Sequence, residues 1–69
     1  MTSLANNLKQ HRASRNLTQA DLARLTGVSR KTINTIENRV FIPSTLLALK
    51  IAQALEISIH DIFALEDSD

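Results

Sequence analysis

The segment over residues 17–38, LTQADLARLTGVSRKTINTIEN, limits what this chain can fold into more than any other stretch. Its pattern predicts two short helices joined by a tight turn over residues 26–28. Thr18 can cap the first helix, with Asp21 returning its carboxylate three residues later, and Ser29 can cap the second. The segment therefore carries a start signal for each of two consecutive helices.

Four apolar residues of this segment recur at helical spacing, so we expect them to face one core. They are Leu22, Leu25, Ile33 and Ile36. Gly27 lies just past the first helix, where a left-handed residue costs little because glycine has no Cβ. Two helices joined in this way match the helix-turn-helix unit, whose second helix can enter the major groove of DNA.

The same segment resembles a known family. Its motifs Gln19-Ala20-Asp21-Leu22-Ala23, Gly27-Val28-Ser29 and Ile36-Glu37-Asn38 are similar to those of the phage Cro and repressor proteins and their bacterial relatives, the xenobiotic-response-element family. The resemblance continues through Pro43-Ser44, Ala48-Leu49-Lys50-Ile51-Ala52, Ala54-Leu55 and Ile62-Phe63, so it covers nearly the whole chain. It implies an all-α fold: a compact five-helix, lambda-repressor-like DNA-binding domain with the helix-turn-helix at helices 2 and 3.

The helix bounds follow from caps and apolar periodicity. We expect helix 1 over residues 3–15 with Ser3 as its cap, helix 2 over residues 19–25 and helix 3 over residues 30–38. Helix 4 follows Ser44, and its buried stripe consists of Ala48, Ile51, Ala52 and Leu55. Ser58 caps a last short helix over residues 59–64, and we expect the acidic tail over residues 66–69 to fray.

Length and composition indicate one small cytoplasmic domain spanning residues 1–69. A single core of this size is only marginally stabilising, and the absence of cysteine excludes disulfides and thiolate zinc sites. No apolar run approaches the roughly 20 residues of a membrane span. We find no nucleophile–base pair, carboxylate dyad, glycine-rich phosphate loop or metal cluster. We therefore expect neither an enzyme nor a membrane protein, and no catalytic residue, cofactor, metal or small-molecule effector.

The charges are unevenly distributed along the chain. Residues 1–39 carry seven Lys and Arg against two acidic residues, whereas residues 40–69 carry one Lys against five acidic residues. Charged residues could simply solvate the helix surfaces. The asymmetry together with the helix-turn-helix motif favours a face that binds a polyanion.

The predicted third helix carries candidate DNA contacts. With Ile33 and Ile36 turned inward, four side chains able to read base edges project outward: Arg30, Lys31, Asn34 and Thr35. The resemblance implies base contacts from Arg30, Lys31 and Thr35, with Asn34 more variable. It also implies phosphate contacts from Gln19, Ser29, Thr32 and Asn38. An ordinary surface helix could have this composition by chance, but the position of helix 3 directly after the turn favours DNA binding.

Arg12 and Glu37 form a predicted ion pair. The resemblance implies that an arginine at this point of helix 1 pairs with the glutamate near the end of helix 3, which would tie the two helices together. Alternatively, Arg12 contacts a phosphate or stays free on the surface. We prefer the pair, because an unpaired Glu37 facing phosphates would oppose DNA binding.

Arg39 and Glu56 stand where the resembling family commonly has glycine at a helix end. Arg39 either accepts a left-handed dihedral at a cost of about 1 kcal/mol, or helix 3 ends differently. By contacting a DNA phosphate, Arg39 could recover that cost.

An apolar surplus surrounds the connection between helices 3 and 4. Exposed apolar patches mark interfaces, so we predict a dimer through this region and the last helix, involving Val40, Ile42, Leu46 and Ile59. Such a dimer would place two recognition helices roughly 34–36 Å apart, one turn of DNA. In the alternative, Val40 and Ile42 merely cover the loop against helix 4.

Together these features predict a small transcriptional regulator that binds a palindromic double-stranded DNA operator as a homodimer. The alternative is a helical protein-interaction module that keeps the fold without specific DNA reading.

Overall fold

The computed structural model describes residues 2–67, in which five helices are flanked by two short strands. The helices are α1 (Leu8–Ser14), α2 (Gln19–Thr26), α3 (Arg30–Glu37), α4 (Thr45–Leu55) and α5 (Ile59–Ile62). The strands are β1 (Thr2–Asn6) and β2 (Phe63–Asp67). The fold has the five helices that were predicted, but the two strands mean that it is not purely all-α. Within residues 2–67, no helix combines the length and apolar content needed to cross a membrane.

The two ends of the chain pair as an antiparallel sheet. We predicted helix for residues 3–6 and 63–64, and this prediction was wrong, because these residues lie in β1 and β2. Residues 66 and 67, which belong to the tail that we predicted to fray, are also part of β2. Leu4 lies opposite Leu65, and Asn6 lies opposite Phe63. Each strand is only 5 residues long and finds its partner about 60 positions away, so local periodicity carries little information about the pairing. Ser68 and Asp69 lie outside the described residues.

Asn6 lies at the junction between β1 and α1. Its side-chain oxygen accepts a hydrogen bond from the backbone N–H of Leu8 at 3.2 Å, at the start of α1. Its side-chain amide donates to the carbonyl of Ile36 at 3.0 Å, near the end of α3. The first helix therefore starts after Asn6, rather than at Ser3 as predicted, and this junction is bonded to α3.

The remaining helices begin at the predicted caps. Thr18, Ser29, Ser44 and Ser58 accept a backbone N–H in the first turn of α2, α3, α4 and α5, respectively. At α2 the capping box is closed by Asp21, whose carboxylate accepts the backbone N–H of Thr18 at 2.9 Å. That N–H, with the Thr18 hydroxyl and Arg24, lowers the pKa of Asp21 below its ordinary value of 3.8.

Four helices end through the same backbone reversal, at residues with positive φ. These are Asn16 (58°), Gly27 (75°), Arg39 (61°) and Glu56 (57°). In each case the N–H of the following residue reaches the carbonyl five positions earlier, which is the long bond of a Schellman motif. Arg39 and Glu56 therefore adopt the left-handed dihedral that glycine usually provides.

All five helices contribute to one core. It contains eleven buried apolar side chains: Leu8, Leu22, Ala23, Ile33, Ile36, Ala48, Ile51, Ala52, Leu55, Ile62 and Phe63. The predicted stripe of α4 is buried as expected.

The predicted burial of Leu25 was wrong, because 62% of this residue is exposed. Each residue advances a helix by about 100°, so Leu22, Ala23 and Thr26 lie close together on the inner face while Leu25 lies to one side. Thr26 is buried because its hydroxyl donates to the Leu22 carbonyl at 2.8 Å, which satisfies its polar atom. The inner face of α2 therefore includes Thr26, whereas apolar spacing had predicted Leu25 there.

We predict that Glu56→Gly stabilises the protein. Glycine relieves the left-handed φ of 57°, worth about 1 kcal/mol, whereas the lost ion pair with Arg15 is exposed and contributes little. For a domain of this size the melting temperature should rise by about 4–8 °C in a thermal unfolding experiment. Glu56→Ala is the matched control, since it removes the carboxylate but keeps a Cβ. An equal rise in both variants would contradict backbone strain as the cause.

Candidate nucleic-acid interface

The outward face of α3 displays the four predicted base-contacting residues. Ile33 and Ile36 are completely buried, which turns the opposite face of the helix away from the core. On that face Arg30 and Lys31 are exposed, while Asn34 and Thr35 are half-buried. These four residues therefore share one surface, with the two basic side chains at the N-terminal end of the helix.

Local hydrogen bonds orient the polar residues of this surface. The Thr35 hydroxyl donates to the Thr32 carbonyl at 2.9 Å, and the Asn38 amide donates to the Asn34 carbonyl at 2.9 Å. The hydroxyls of Ser29 and Thr32 are hydrogen-bonded to each other at 3.0 Å. The predicted phosphate contacts Ser29, Thr32 and Asn38 thus lie along α3 and at its two ends.

A bidentate ion pair joins α1 to α3 beneath this surface. Arg12 Nε lies 2.7 Å from Glu37 Oε2, and Arg12 Nη2 lies 3.3 Å from Glu37 Oε1. The third nitrogen, Nη1, donates to the Leu17 carbonyl at 2.7 Å. Only 12% of the Arg12 side chain and 3% of the Glu37 side chain are exposed. The pair is therefore internal to the domain, and each of the three guanidinium nitrogens of Arg12 is hydrogen-bonded within it.

Gln19 extends this pair to the outer surface. Its amide nitrogen donates to Glu37 Oε1 at 3.0 Å, and its amide oxygen accepts from Arg30 Nη1 at 3.2 Å. A continuous chain of hydrogen bonds therefore runs from Arg12 through Glu37 and Gln19 to Arg30. From the sequence, Gln19 and Arg30 were predicted only as separate DNA contacts. The sequence did carry a signal for this bridge, because the side-chain amide of a glutamine can donate and accept a hydrogen bond at the same time. Gln19 lies at the start of α2, the helix that precedes α3.

Two basic side chains at the start of α3 stand apart from the ion pairs found among residues 2–67. Four arginines face carboxylates, in the pairs Arg12–Glu37, Arg15–Glu56, Arg24–Asp21 and Arg39–Glu66. Within residues 2–67, no such partner is found for Arg30 or Lys31. Adjacent positive charges that are not neutralised by the protein are suited to phosphates or guanine acceptors.

Arg39 contacts the sheet in this structure. Its Nη2 lies 2.7 Å from Glu66 Oε1 and 3.3 Å from the Ser3 hydroxyl, and these two residues are opposite each other in β1 and β2. Arg39 thereby connects the end of α3 to the paired chain ends. The predicted phosphate contact of Arg39 stays a prediction.

The residues predicted to form a dimer surface differ in exposure. Val40, Ile42 and Leu46 are 77%, 68% and 65% exposed, so their apolar side chains are available to a partner. Ile59 is half-buried and packs against the core. It lines an apolar recess with Leu4, Phe63 and Leu65 instead of joining the exposed group.

We predict that Glu37→Gln destabilises the protein by about 3 kcal/mol, because it removes one member of a buried ion pair and leaves Arg12 uncompensated. Urea unfolding followed by circular dichroism measures this difference. The double variant Arg12→Met, Glu37→Leu is the control, since apolar side chains of similar volume avoid the buried charge and should recover part of the loss. If Glu37→Gln is as stable as the native chain, the pair does not hold α1 against α3.

Comparison with known proteins identifies the family. A helix-turn-helix family model matches residues 8–62. The chain is 50% identical over 66 residues to MJ0272 of Methanocaldococcus jannaschii, covering 96% of this chain and 100% of that protein. It is 38% identical over 66 residues to YgzD of Bacillus subtilis, with the same two coverages. Both relatives are described as uncharacterised HTH-type transcriptional regulators.

Solved structures agree with this assignment. The restriction-modification controller protein C.AhdI from Aeromonas hydrophila superposes with a TM-score of 0.75 at 31% identity, covering 78% of this chain and 82% of that one. The clp gene regulator ClgR from Corynebacterium glutamicum gives a TM-score of 0.75 at 28% identity, covering 78% of this chain and 57% of that one. Since the family model and a relative matched over its whole length agree with the geometry of α2 and α3, the chain belongs to the helix-turn-helix family of DNA-binding transcriptional regulators.

Proposed function

We propose that this regulator binds a palindromic double-stranded operator as a homodimer, with α3 of each copy in the major groove of one half-site. The observation that carries the proposal is the pair of exposed basic residues, Arg30 and Lys31, without a carboxylate partner among residues 2–67. They lie at the N-terminal end of α3, the part of a recognition helix that contacts base edges.

The side chains on α3 suit direct base reading. Arg30 and Lys31 can donate to guanine O6 and N7, Asn34 can pair with adenine, and Thr35 can meet a thymine methyl or an acceptor. Each good base pairing supplies ~1–3 kcal/mol of discrimination against the wrong base. The hydrogen bond from Arg30 to Gln19 limits the conformations of Arg30 before binding, which reduces the entropy lost on contact with DNA.

Phosphate contacts set the register of α3 in the groove. We assign them to Gln19, Ser29, Thr32 and Asn38, which are polar and lie at the start of α2 and along α3. Such contacts carry much of the affinity and make it sensitive to salt, because bound phosphates release counterions.

The exposed apolar residues after α3 support the homodimer. Ile42 and Leu46 are each about two-thirds exposed, and burying them against a second copy would remove apolar surface from water. An 8-residue α3 is about 12 Å long, and Ile42 follows it by five positions. We expect a two-fold axis near Ile42 to place the two recognition helices roughly 34–36 Å apart, one turn of DNA.

We predict that selection from a random duplex library enriches an inverted repeat with half-sites about 10–10.5 bp apart, and that the double variant Arg30→Ala, Lys31→Ala loses this enrichment. Lys9→Ala, Lys50→Ala is the matched control, because it removes the same charge from α1 and α4. The control should enrich the same inverted repeat as the native chain, but should bind DNA with a weaker overall affinity. Equal loss in both variants would contradict base reading by α3.

We also predict that the native chain sediments as a dimer, and that Ile42→Glu, Leu46→Glu converts it to a monomer by placing charges in the apolar contact. Leu25→Glu is the control, since Leu25 is equally exposed but lies on α2. Analytical ultracentrifugation over a range of concentrations gives the result. A native chain that stays monomeric at every concentration and on operator DNA would contradict the homodimer.

A further inference from the structure

Val40, which was predicted from the sequence to belong to a dimer surface, lies beside the predicted DNA contacts. With Phe41 it lines an open recess of about 340 Å³ whose other walls are Ser29, Lys31, Thr32 and Thr35. All four of those residues are proposed to contact bases or phosphates. The Val40 residue is 77% exposed, so an apolar group is presented to solvent next to polar groups suited to DNA.

The backbone holds Val40 in a defined position relative to α3. The positive φ of Arg39, 61°, reverses the chain directly after the helix. The N–H groups of Val40 and Phe41 then both donate to the Thr35 carbonyl, at 2.9 and 3.2 Å. Val40 is therefore held against the last turn of α3. If α3 binds in a groove of DNA, Val40 lies next to that groove as well.

The neighbouring exposed residue, Ile42, belongs to a different surface. It lines a separate recess with Ser3, Leu4 and Arg39 on the side of β1. The apolar surplus after α3 is thus divided: Val40 adjoins α3, and Ile42 adjoins the sheet. Only Phe41 lines both recesses.

We propose that Val40, with Phe41 behind it, contacts the C5-methyl group of a thymine in the major groove and makes that base pair part of the recognised sequence. Thymine is the base that presents a methyl group in this groove, and apolar side chains are its natural contact. This inference rests on the proposed placement of α3 in the major groove. It adds a specificity residue outside the helix itself, at the position where its C-terminal reversal returns the chain to Thr35.

The test uses the operator enriched by the native chain, in duplexes where each thymine is replaced singly by deoxyuridine. Deoxyuridine keeps the pairing edge and lacks only the methyl group. At one thymine of each half-site the native chain should bind about fourfold more weakly, the change expected from losing the burial of one methyl group. Val40→Ser should bind the thymine and deoxyuridine duplexes at this position equally well.

Leu49→Ser is the matched control, because Leu49 is an exposed apolar residue on α4, away from the recess. It should retain the full methyl sensitivity of the native chain. Thermal unfolding of all three proteins confirms that the variants fold.

Several results would overturn the inference. These are an enriched operator without thymine in its half-site, no methyl-sensitive position for the native chain, or the same sensitivity in Val40→Ser. If Val40→Ser binds every duplex more weakly by the same factor, Val40 contacts the sugar–phosphate backbone instead of a methyl group. If Val40→Ser loses the dimer but keeps the methyl sensitivity, Val40 contacts the partner copy. If no duplex is enriched at all, the proposed function fails; an enriched operator without methyl sensitivity overturns this inference alone.

Discussion

The buried ion pair between Arg12 and Glu37 is the interaction on which the arrangement of α1, α2 and α3 depends. Removing both charges from water is costly, so the geometry must compensate with several short hydrogen bonds. Here the guanidinium meets both carboxylate oxygens and a backbone carbonyl, and Gln19 supplies a further donor to the carboxylate. Because these partners come from α1, the loop after it, α2 and α3, the pair specifies one relative placement of three helices. A small core of aliphatic side chains would specify it less sharply, since apolar contacts are not directional.

The proposed recognition helix, α3, is supported at both ends. At its N-terminus, Ser29 caps the first turn, and Gln19 holds the Arg30 side chain. At its C-terminus, the Ile36 carbonyl accepts from Asn6, and Arg39 pairs with Glu66 across the sheet. These contacts link α3 to both ends of the chain, although α3 lies in its middle. The small sheet therefore belongs to the same structural unit as α3.

Left-handed helix ends make the short connections of this fold possible. A reversal after α1, α2, α3 and α4 returns each chain segment to the last turn of its helix, and only one of the four residues is glycine. The other three accept unfavourable dihedrals, each partly offset by hydrogen bonds to the last carbonyl groups. At α3 this reversal also decides which side chain stands next to Thr35. The sequence Arg39-Val40 thus combines a structural cost with an exposed apolar group next to the outward face of α3.

Features that depend on near neighbours in the chain could be predicted from the sequence alone. The caps Thr18, Ser29, Ser44 and Ser58 could be predicted because each acts on backbone groups two or three residues away. The inward faces of α3 and α4 could be predicted because a helix repeats every 3.6 residues, and the family motifs identified Arg12 and Glu37 as a pair.

Features that depend on distant partners could be seen only in the folded structure. The pairing of β1 with β2, the engagement of Arg39 by Glu66 and the bridge from Glu37 through Gln19 to Arg30 each join residues far apart in the chain. The exposure of Leu25 likewise follows from where α3 and α4 cover α2. The physical reason is that local hydrogen bonds and periodicity shape each element, whereas strand partners, ion-pair partners and burial depend on how the elements pack together.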